Sequence, residues 1–409
     1  MSEPSANSLA APGETRRVLW LSLAQLISWG SVFYLFALLV GPVEAELGLT
    51  RAQTSLAFSL ALLVEGMLAW PVGRWIDHGH ERLVMTGGSL VLAVALLLHS
   101  QARSVVAFYG CWLLLGAGMA ATLYTPVFAV VTRRYPQDFR RAIITLTFLG
   151  GLASTVFIPL IAWLIREWGW RGALVALAGL HLFVCAPLHA AWLRGAPRQA
   201  LPAQPGPAAA PPPQSLRRLL RGAPFLLIAL FTVLMMGITA AIPPHLVSLL
   251  REAGMSEAWV LAVPASIGVI QVVGRVLLFV TEKRFDVDRA NRWIPCLIPL
   301  GLGALLFGGA HVAAATVFVL LYGLGNGMLT IVKGTAIAQY VSRAHVAALN
   351  GAMGVPQALA RAAAPLLLGL LWTPARGYQW GLALLLAASV VAVLALWQAQ
   401  RRALLSKMS

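Results

Sequence analysis

Four charged residues stand well inside long apolar runs: Glu65, Arg275, Lys333 and Arg361. A charge held at mid-depth in a bilayer costs at least about 2.5–3.5 kcal/mol, so such a residue marks a functional site by default. Three cations against one carboxylate make this interior favour anions. A guanidinium presents a planar fork that matches a carboxylate bidentately, so Arg275 and Arg361 together suit an organic anion. At helical spacing Arg275 shares a face with Gly268 and Gln271. Arg361 shares one with Asn350, Gly354, Gln357 and Pro365. Each arginine follows a glutamine by four residues. Stripes of small and polar residues face protein or water and not lipid. The alternative for either arginine is a structural bond to backbone carbonyls. Lys333 shares a stripe with Asn326 and Thr330. It is a further candidate ligand, or a lysine that snorkels to the interface. Glu65 is the one carboxylate within a run, and a carboxyl there can load and release a proton during a transport cycle. A paired structural glutamate is the other reading.

Neutral polar groups complete the candidate set. The first run carries Gln25, Ser28 and Trp29 on one side, and the fourth carries Tyr124 and Thr125 beside Pro126. Gln25 and Tyr124 are candidate substrate ligands, with ordinary packing as the alternative. The seventh run offers Thr239 and His245 around Pro243-Pro244. Cys111, Cys185 and Cys296 all lie in apolar runs, without a CxxC or a Cys/His ligand spacing, so neither a metal site nor a disulfide framework is expected. No Walker loop, dinucleotide fingerprint or catalytic triad is present in the sequence. Neither an enzyme, a cofactor nor an ATP-driven pump is expected.

These residues are carried by helices. The chain has 409 residues, 59% of them hydrophobic and 11% charged, against about 25% charged in soluble domains. Backbone polar groups in lipid must be satisfied within the segment, which makes long apolar runs helical. A strand barrel would show short alternating segments instead. Twelve runs approach the roughly 20 residues that span the hydrocarbon core. They cover 18–40, 54–75, 83–99, 105–131, 142–165, 173–193, 224–250, 258–280, 293–310, 312–338, 346–371 and 378–398. The ninth and tenth are separated by almost nothing. The first is too long for the apolar core of a signal peptide. Residues 1–15 are expected to be a disordered tail and 400–409 a short tail. The Pro-rich stretch 195–222 reads as a semi-extended linker between a bundle at 16–194 and a second at 223–399.

The net charge is +16, from 30 basic and 14 acidic residues. With the N-terminus inside, only Arg51, Arg103, Arg166, Arg171, Arg251 and Arg376 fall on the outer side. Most of the rest sit in inner loops, so both termini and the linker are expected to be cytoplasmic. The excess charge then meets anionic lipid, and no nucleic-acid partner is expected. Lysine is scarce beside arginine and alanine is abundant, which points to a GC-rich bacterial genome and a bacterial inner membrane. Two six-helix halves are how many secondary transporters are built, with a midplane substrate site between them.

The stretch Gly73-Arg74-Trp75-Ile76-Asp77-His78-Gly79-His80-Glu81-Arg82 resembles the cytoplasmic loop signature G-x-L-x-D-R-x-G-R-[KR] of the major facilitator superfamily. It matches at Gly73, Asp77 and Arg82. The second glycine comes one place early, and His78 and Glu81 replace basic residues. Gly169-Trp170-Arg171 resembles the family's G-W-R element, Gly274-Arg275 lies near the end of the eighth run, and Ala364-Pro365-Leu366-Leu367-Leu368-Gly369 is close to G-P-L-x-x-G. The resemblance covers about residues 16 to 400. It implies an all-α membrane protein of two six-helix bundles working by alternating access, with Gly73, Asp77 and Arg82 in a gate-side charge network. The G-x-x-x-G-P element of drug–proton antiporters is absent from the fifth run. The layout is most similar to the monocarboxylate and oxalate–formate porters, in which an arginine of the eighth span binds the substrate carboxylate. Arg275 stands at that position. Gln271 stands where monocarboxylate porters have an aspartate, and the first run lacks their lysine. Arg361 is similar in placement to a second cation of the oxalate porter. The implied cargo is a small organic anion, a mono- or dicarboxylate, moved with protons or by exchange, by a monomer. Proton-driven efflux of drugs or metabolites is the alternative.

Overall fold

Gly169 makes the difference between eleven apolar helical stretches and twelve membrane helices. The computed structural model describes residues 13–195, 213–281, 287–308, 311–342 and 345–408. Eleven of its continuous helical stretches are long and apolar enough to cross a membrane. One of these, Arg141–Trp192, breaks at Gly169, whose φ of +67° and ψ of 170° are tolerated by a residue without Cβ. The spanning helices are therefore α1 (Glu14–Leu47), α2 (Arg51–Asp77), α3 (Glu81–Gln101), α4 (Val105–Arg134), α5 (141–168) and α6 (170–192). They continue with α7 (Ala223–Glu252), α8 (Glu257–Thr281), α9 (Asp288–Phe307), α10 (Val312–Tyr340), α11 (Val346–Leu370) and α12 (Gln379–Met408). The expected all-α membrane fold is the observed one. The chain divides into two compact units, Met1–Ala200 and Leu201–Ser409.

Helical structure extends into the expected linker and the expected C-terminal tail. Residues Pro213–Arg221 of the linker form a helix. Proline is accepted in the first turn, and the Ser-Leu-Arg-Arg-Leu-Leu-Arg that follows is a good helix former. The helix of α12 also continues through most of the expected tail, to Met408. Residues 1–12 and 196–212, which hold most of the expected N-terminal tail and linker, lie outside the described residues. So do residues 309–310, the junction between the ninth and tenth runs.

Helix starts are capped as their sequences specify. Thr50 accepts from the Gln53 amide while Gln53 reaches back to the Thr50 N–H at 2.9 Å, a capping box at α2. Ser104 accepts from the Ala107 N–H at α4. Within the first unit, two histidines of α6 tie it to its neighbours. Ser31 of α1 gives its proton to the Ile27 carbonyl, so its oxygen accepts from His181 Nε2 at 2.7 Å. Ser89 of α3 gives its proton to Met85 and accepts from His189 Nδ1 at 2.9 Å. Close helix contacts come from glycine: a Cβ on Gly116 of α4 would lie 2.4 Å from the Ala61 carbonyl oxygen of α2.

Each unit closes one end with the same device. In the first, Glu46 at the end of α1 accepts from the Trp170 indole at 2.8 Å and pairs with Arg171 at 2.5 Å. Arg171 also donates to the carbonyls of Ser100 and Ala102 at the C-terminus of α3, where a cation offsets the helix dipole. In the second, Glu252 at the end of α7 accepts from the Trp372 indole at 2.8 Å. The Gly-Trp-Arg element thus has a structural task in this chain, which is to hold three helix ends together.

Candidate functional site

The second unit brings two of the three intramembrane cations together. Gly237 of α7 packs closely on α11, where its Cβ would lie 3.4 Å from the Ala360 carbonyl oxygen. That approach sets Met236 beside the turn of α11 that carries Arg361. Lys333 reaches across from α10, and its ammonium donates to Met236 Sδ at 3.1 Å. The Arg361 guanidinium is near enough to repel it. Both side chains are half-buried, as is Gln357, one turn before Arg361. Lys333 has no carboxylate partner among the described residues, and a thioether is a weak acceptor. Among the described residues after Ala223 the acidic ones are Glu252, Glu257 and Asp288, all at or next to helix ends.

Arg275 and Gln271 stand on α8 at its contact with α10. A Cβ on Gly327 would lie 2.2 Å from the Gln271 carbonyl oxygen, and one on Gly274 would lie 2.9 Å from that of Leu324. These glycines let the two backbones touch. Gln271 is buried there and Arg275 half-buried. His245, considered above as a polar group of α7, has a structural task instead. Its Nε2 donates to the Pro365 carbonyl at 2.9 Å, and its Nδ1 accepts from the Tyr378 hydroxyl at 3.2 Å. Thr239 turns its hydroxyl back onto the Met235 carbonyl at 2.8 Å.

In the first unit, Gln25 and Tyr124 meet at the break in α4. Leu123 departs from helical geometry there, and Gln25 is fully buried with its Nε2 donating to the Thr122 carbonyl at 2.5 Å. Its Oε1 has no partner among the described residues. Four residues along α1, the Trp29 ring lies 4.8 Å from that of Tyr124, and its indole N–H also lacks a partner. Tyr124 stacks on Phe128 at 5.1 Å, with its hydroxyl seated against Gly150, where a Cβ would lie 2.4 Å away. Glu65 is buried on α2.

The loop from α2 to α3 distributes its charges differently from the family signature. Asp77 and Arg82 are exposed and Gly73 is half-buried. The buried charge is Glu81, with no exposed surface, paired with Arg134 at the end of α4 and with Arg133 at 3.5 Å. Arg133 also donates to the Ile76 carbonyl, and Arg134 to that of Arg194 at 3.2 Å. Nearby, Tyr135 donates to Glu14, and burial together with that bond pushes its phenol above the usual range. The second unit also seats a carboxylate at the end of its α10. Asp288, at the start of α9, accepts from Gln339 and Tyr340 at the end of α10, both at 2.8 Å. Neither Glu81 nor Met236 stood out in the sequence. Glu81 read as a departure from a basic position, and only the paired Arg133-Arg134 hinted at a buried partner.

The family model of the Major Facilitator Superfamily matches residues 21–294. The chain belongs to the major facilitator superfamily. Monocarboxylate transporter 13 of Bos taurus is 31% identical over 353 residues, 80% of this chain and 74% of that protein, which places this facilitator in the monocarboxylate-transporter-like branch. The fold is shared with a solved bacterial homolog of the human lysosomal transporter Spinster, at a TM-score of 0.73 and 14% identity, covering 96% of this chain and 98% of that one. It is also shared with the human organic anion transporter MFSD10 (TETRAN), at 0.65 and 18%, covering 94% and 100%. This facilitator is a multi-pass membrane transporter.

Proposed function

We propose that this facilitator moves a small organic anion, a mono- or dicarboxylate, by alternating access across a bacterial inner membrane, with both termini cytoplasmic. The observation that carries the reading is the Lys333–Arg361 pair. Two cations that repel each other, in helices whose spanning parts hold no carboxylate, are relieved by an anion arriving from outside the protein. Arg361 offers the bidentate fork and Lys333 a point charge. Gln357 and Arg275 with Gln271 extend the polar surface on α11 and α8. Gln25 Oε1 and Tyr124 are the candidate neutral substrate ligands of the first unit. The 31% identity to a monocarboxylate transporter supports the same class of cargo.

Movement of an anion against the membrane potential needs a coupled charge or an exchanged anion, since each charge is worth about 2.3 kcal/mol per 100 mV. Glu65 is the residue we propose to carry a coupled proton. Gly73, Asp77 and Arg82 act as the gate-side loop, with the Glu81–Arg134 pair as its fixed base. Purified protein in liposomes, given a panel of radiolabelled carboxylates with and without an inward proton gradient, tests the reading. Saturable carboxylate uptake is expected, raised by the gradient if a proton is co-transported. Transport of hydrophobic cations with no carboxylate uptake would establish drug efflux in its place.

A further inference from the structure

The end of α2 forms a pocket unrelated to the cation pair. Trp70, Pro71, Arg74, Trp75, His78 and His80 line a cavity of about 380 Å³. We propose that it binds the headgroup of an anionic phospholipid. Its walls are apolar and unusually open: Trp70 is 69% exposed and Trp75 61%. Tryptophan at the end of a spanning helix marks the headgroup level of the bilayer, where its ring is half in hydrocarbon and its N–H in the polar layer. The two indoles are five residues apart, about 7.5 Å along the helix.

The polar groups between them are cationic or neutral. The Arg74 guanidinium lies over the Trp70 ring, 5.0 Å from its centroid, and is exposed. No carboxylate lies within ion-pair distance of it among the described residues, Asp77 three residues on included. His78 directs Nδ1 at the Arg74 carbonyl at 2.6 Å, which must accept, so that nitrogen carries the proton and the ring is tied to the same turn as Arg74. His80 is exposed at the rim. The same end of the unit bears exposed Arg16, Arg82, Arg141 and Arg194. An arginine held over an indole beside a surface of this sign selects a phosphate oxygen. A zwitterionic headgroup would bring its own ammonium into the same field, and this separates the two lipid classes.

Native mass spectrometry of the full chain tests the site, with phosphatidylglycerol, phosphatidylcholine or inorganic phosphate added to the detergent solution. Wild type is expected to retain phosphatidylglycerol at concentrations where phosphatidylcholine leaves no adduct, and inorganic phosphate is not expected to displace it. Arg74→Gln should weaken retention about fivefold, the contribution of one arginine at a lipid surface. Trp70→Ala should weaken it as well. Arg401→Gln, an exposed arginine of the other unit, should leave it unchanged. Equal retention in Arg74→Gln and wild type would overturn the proposal. So would equal binding of phosphatidylcholine, or displacement by phosphate, which would make the pocket a site for free anions.

Discussion

Gln25 of α1 supplies Thr122 of α4 with the hydrogen bond that Pro126 cannot give. In an unbroken helix the Thr122 carbonyl would accept from the N–H four residues on, and at that position stands a proline. The helix departs from regular geometry at Leu123, and the Gln25 amide donates to the orphaned oxygen at 2.5 Å. The break is thereby stable in a setting without water. It also places Tyr124 against Trp29.

Replacing Gln25 with Leu removes that donor and leaves a buried carbonyl unsatisfied, at a cost of about 1–3 kcal/mol. A lower melting temperature in detergent is expected, read by size-exclusion recovery after heating. An unchanged melting temperature would mean that the Thr122 oxygen finds another donor.

The loop signature and the structure make opposite forecasts for two acidic residues. Glu81 is buried between arginines, and uncoupling a buried pair costs about 3–5 kcal/mol. Glu81→Gln should therefore lower folding yield and thermal stability sharply. Asp77→Asn should leave stability unchanged and, if the loop gates, alter transport alone. Equal melting temperatures for the two variants would contradict this division.

The glycines of α10 and α11 differ in the same way. A Cβ on Gly327 meets the Gln271 backbone at 2.2 Å, whereas one on Gly351 meets nothing within 4 Å. Gly327→Ala should separate α8 from α10 and reduce expression and stability. Gly351→Ala should be neutral or mildly stabilising, as helix propensity favours alanine over glycine. The expression ratio of the two variants in membranes is the check.

We propose from the charge distribution that the end bearing Asp77 is cytoplasmic and the end bearing Glu167 outside. In a background lacking Cys111, Cys185 and Cys296, Glu167→Cys should react with an impermeant maleimide on intact cells. Asp77→Cys should react only after permeabilisation. The reverse pattern would invert the topology.

What could be read from the residues followed from whether the signal was local. Run length and hydropathy are local, so most spanning helices were legible to within a few residues, although α1 and α12 run on to Leu47 and Met408, and the Gly-Trp-Arg element marked the turn between α5 and α6. The linker helix was missed because three prolines obscured the good helix formers after them. Partnerships were not legible. That Lys333 meets Met236 and the field of Arg361, while Arg275 stands on α8 against α10, depends on which glycines let helices touch. Glu81 shows the same limit. Its departure from the signature is the most deeply buried charge of the loop, because two arginines from α4, over fifty residues away in sequence, enclose it.

The central claim is that Lys333 and Arg361 bind the transported anion. Neutralising either removes a charge that is costly in the bilayer. Lys333→Met and Arg361→Gln should accordingly fold at least as well as wild type, and each should lose saturable carboxylate uptake in proteoliposomes. That combination, stability kept and uptake lost, is the predicted result. Uptake by both variants at the wild-type rate and affinity would contradict the account.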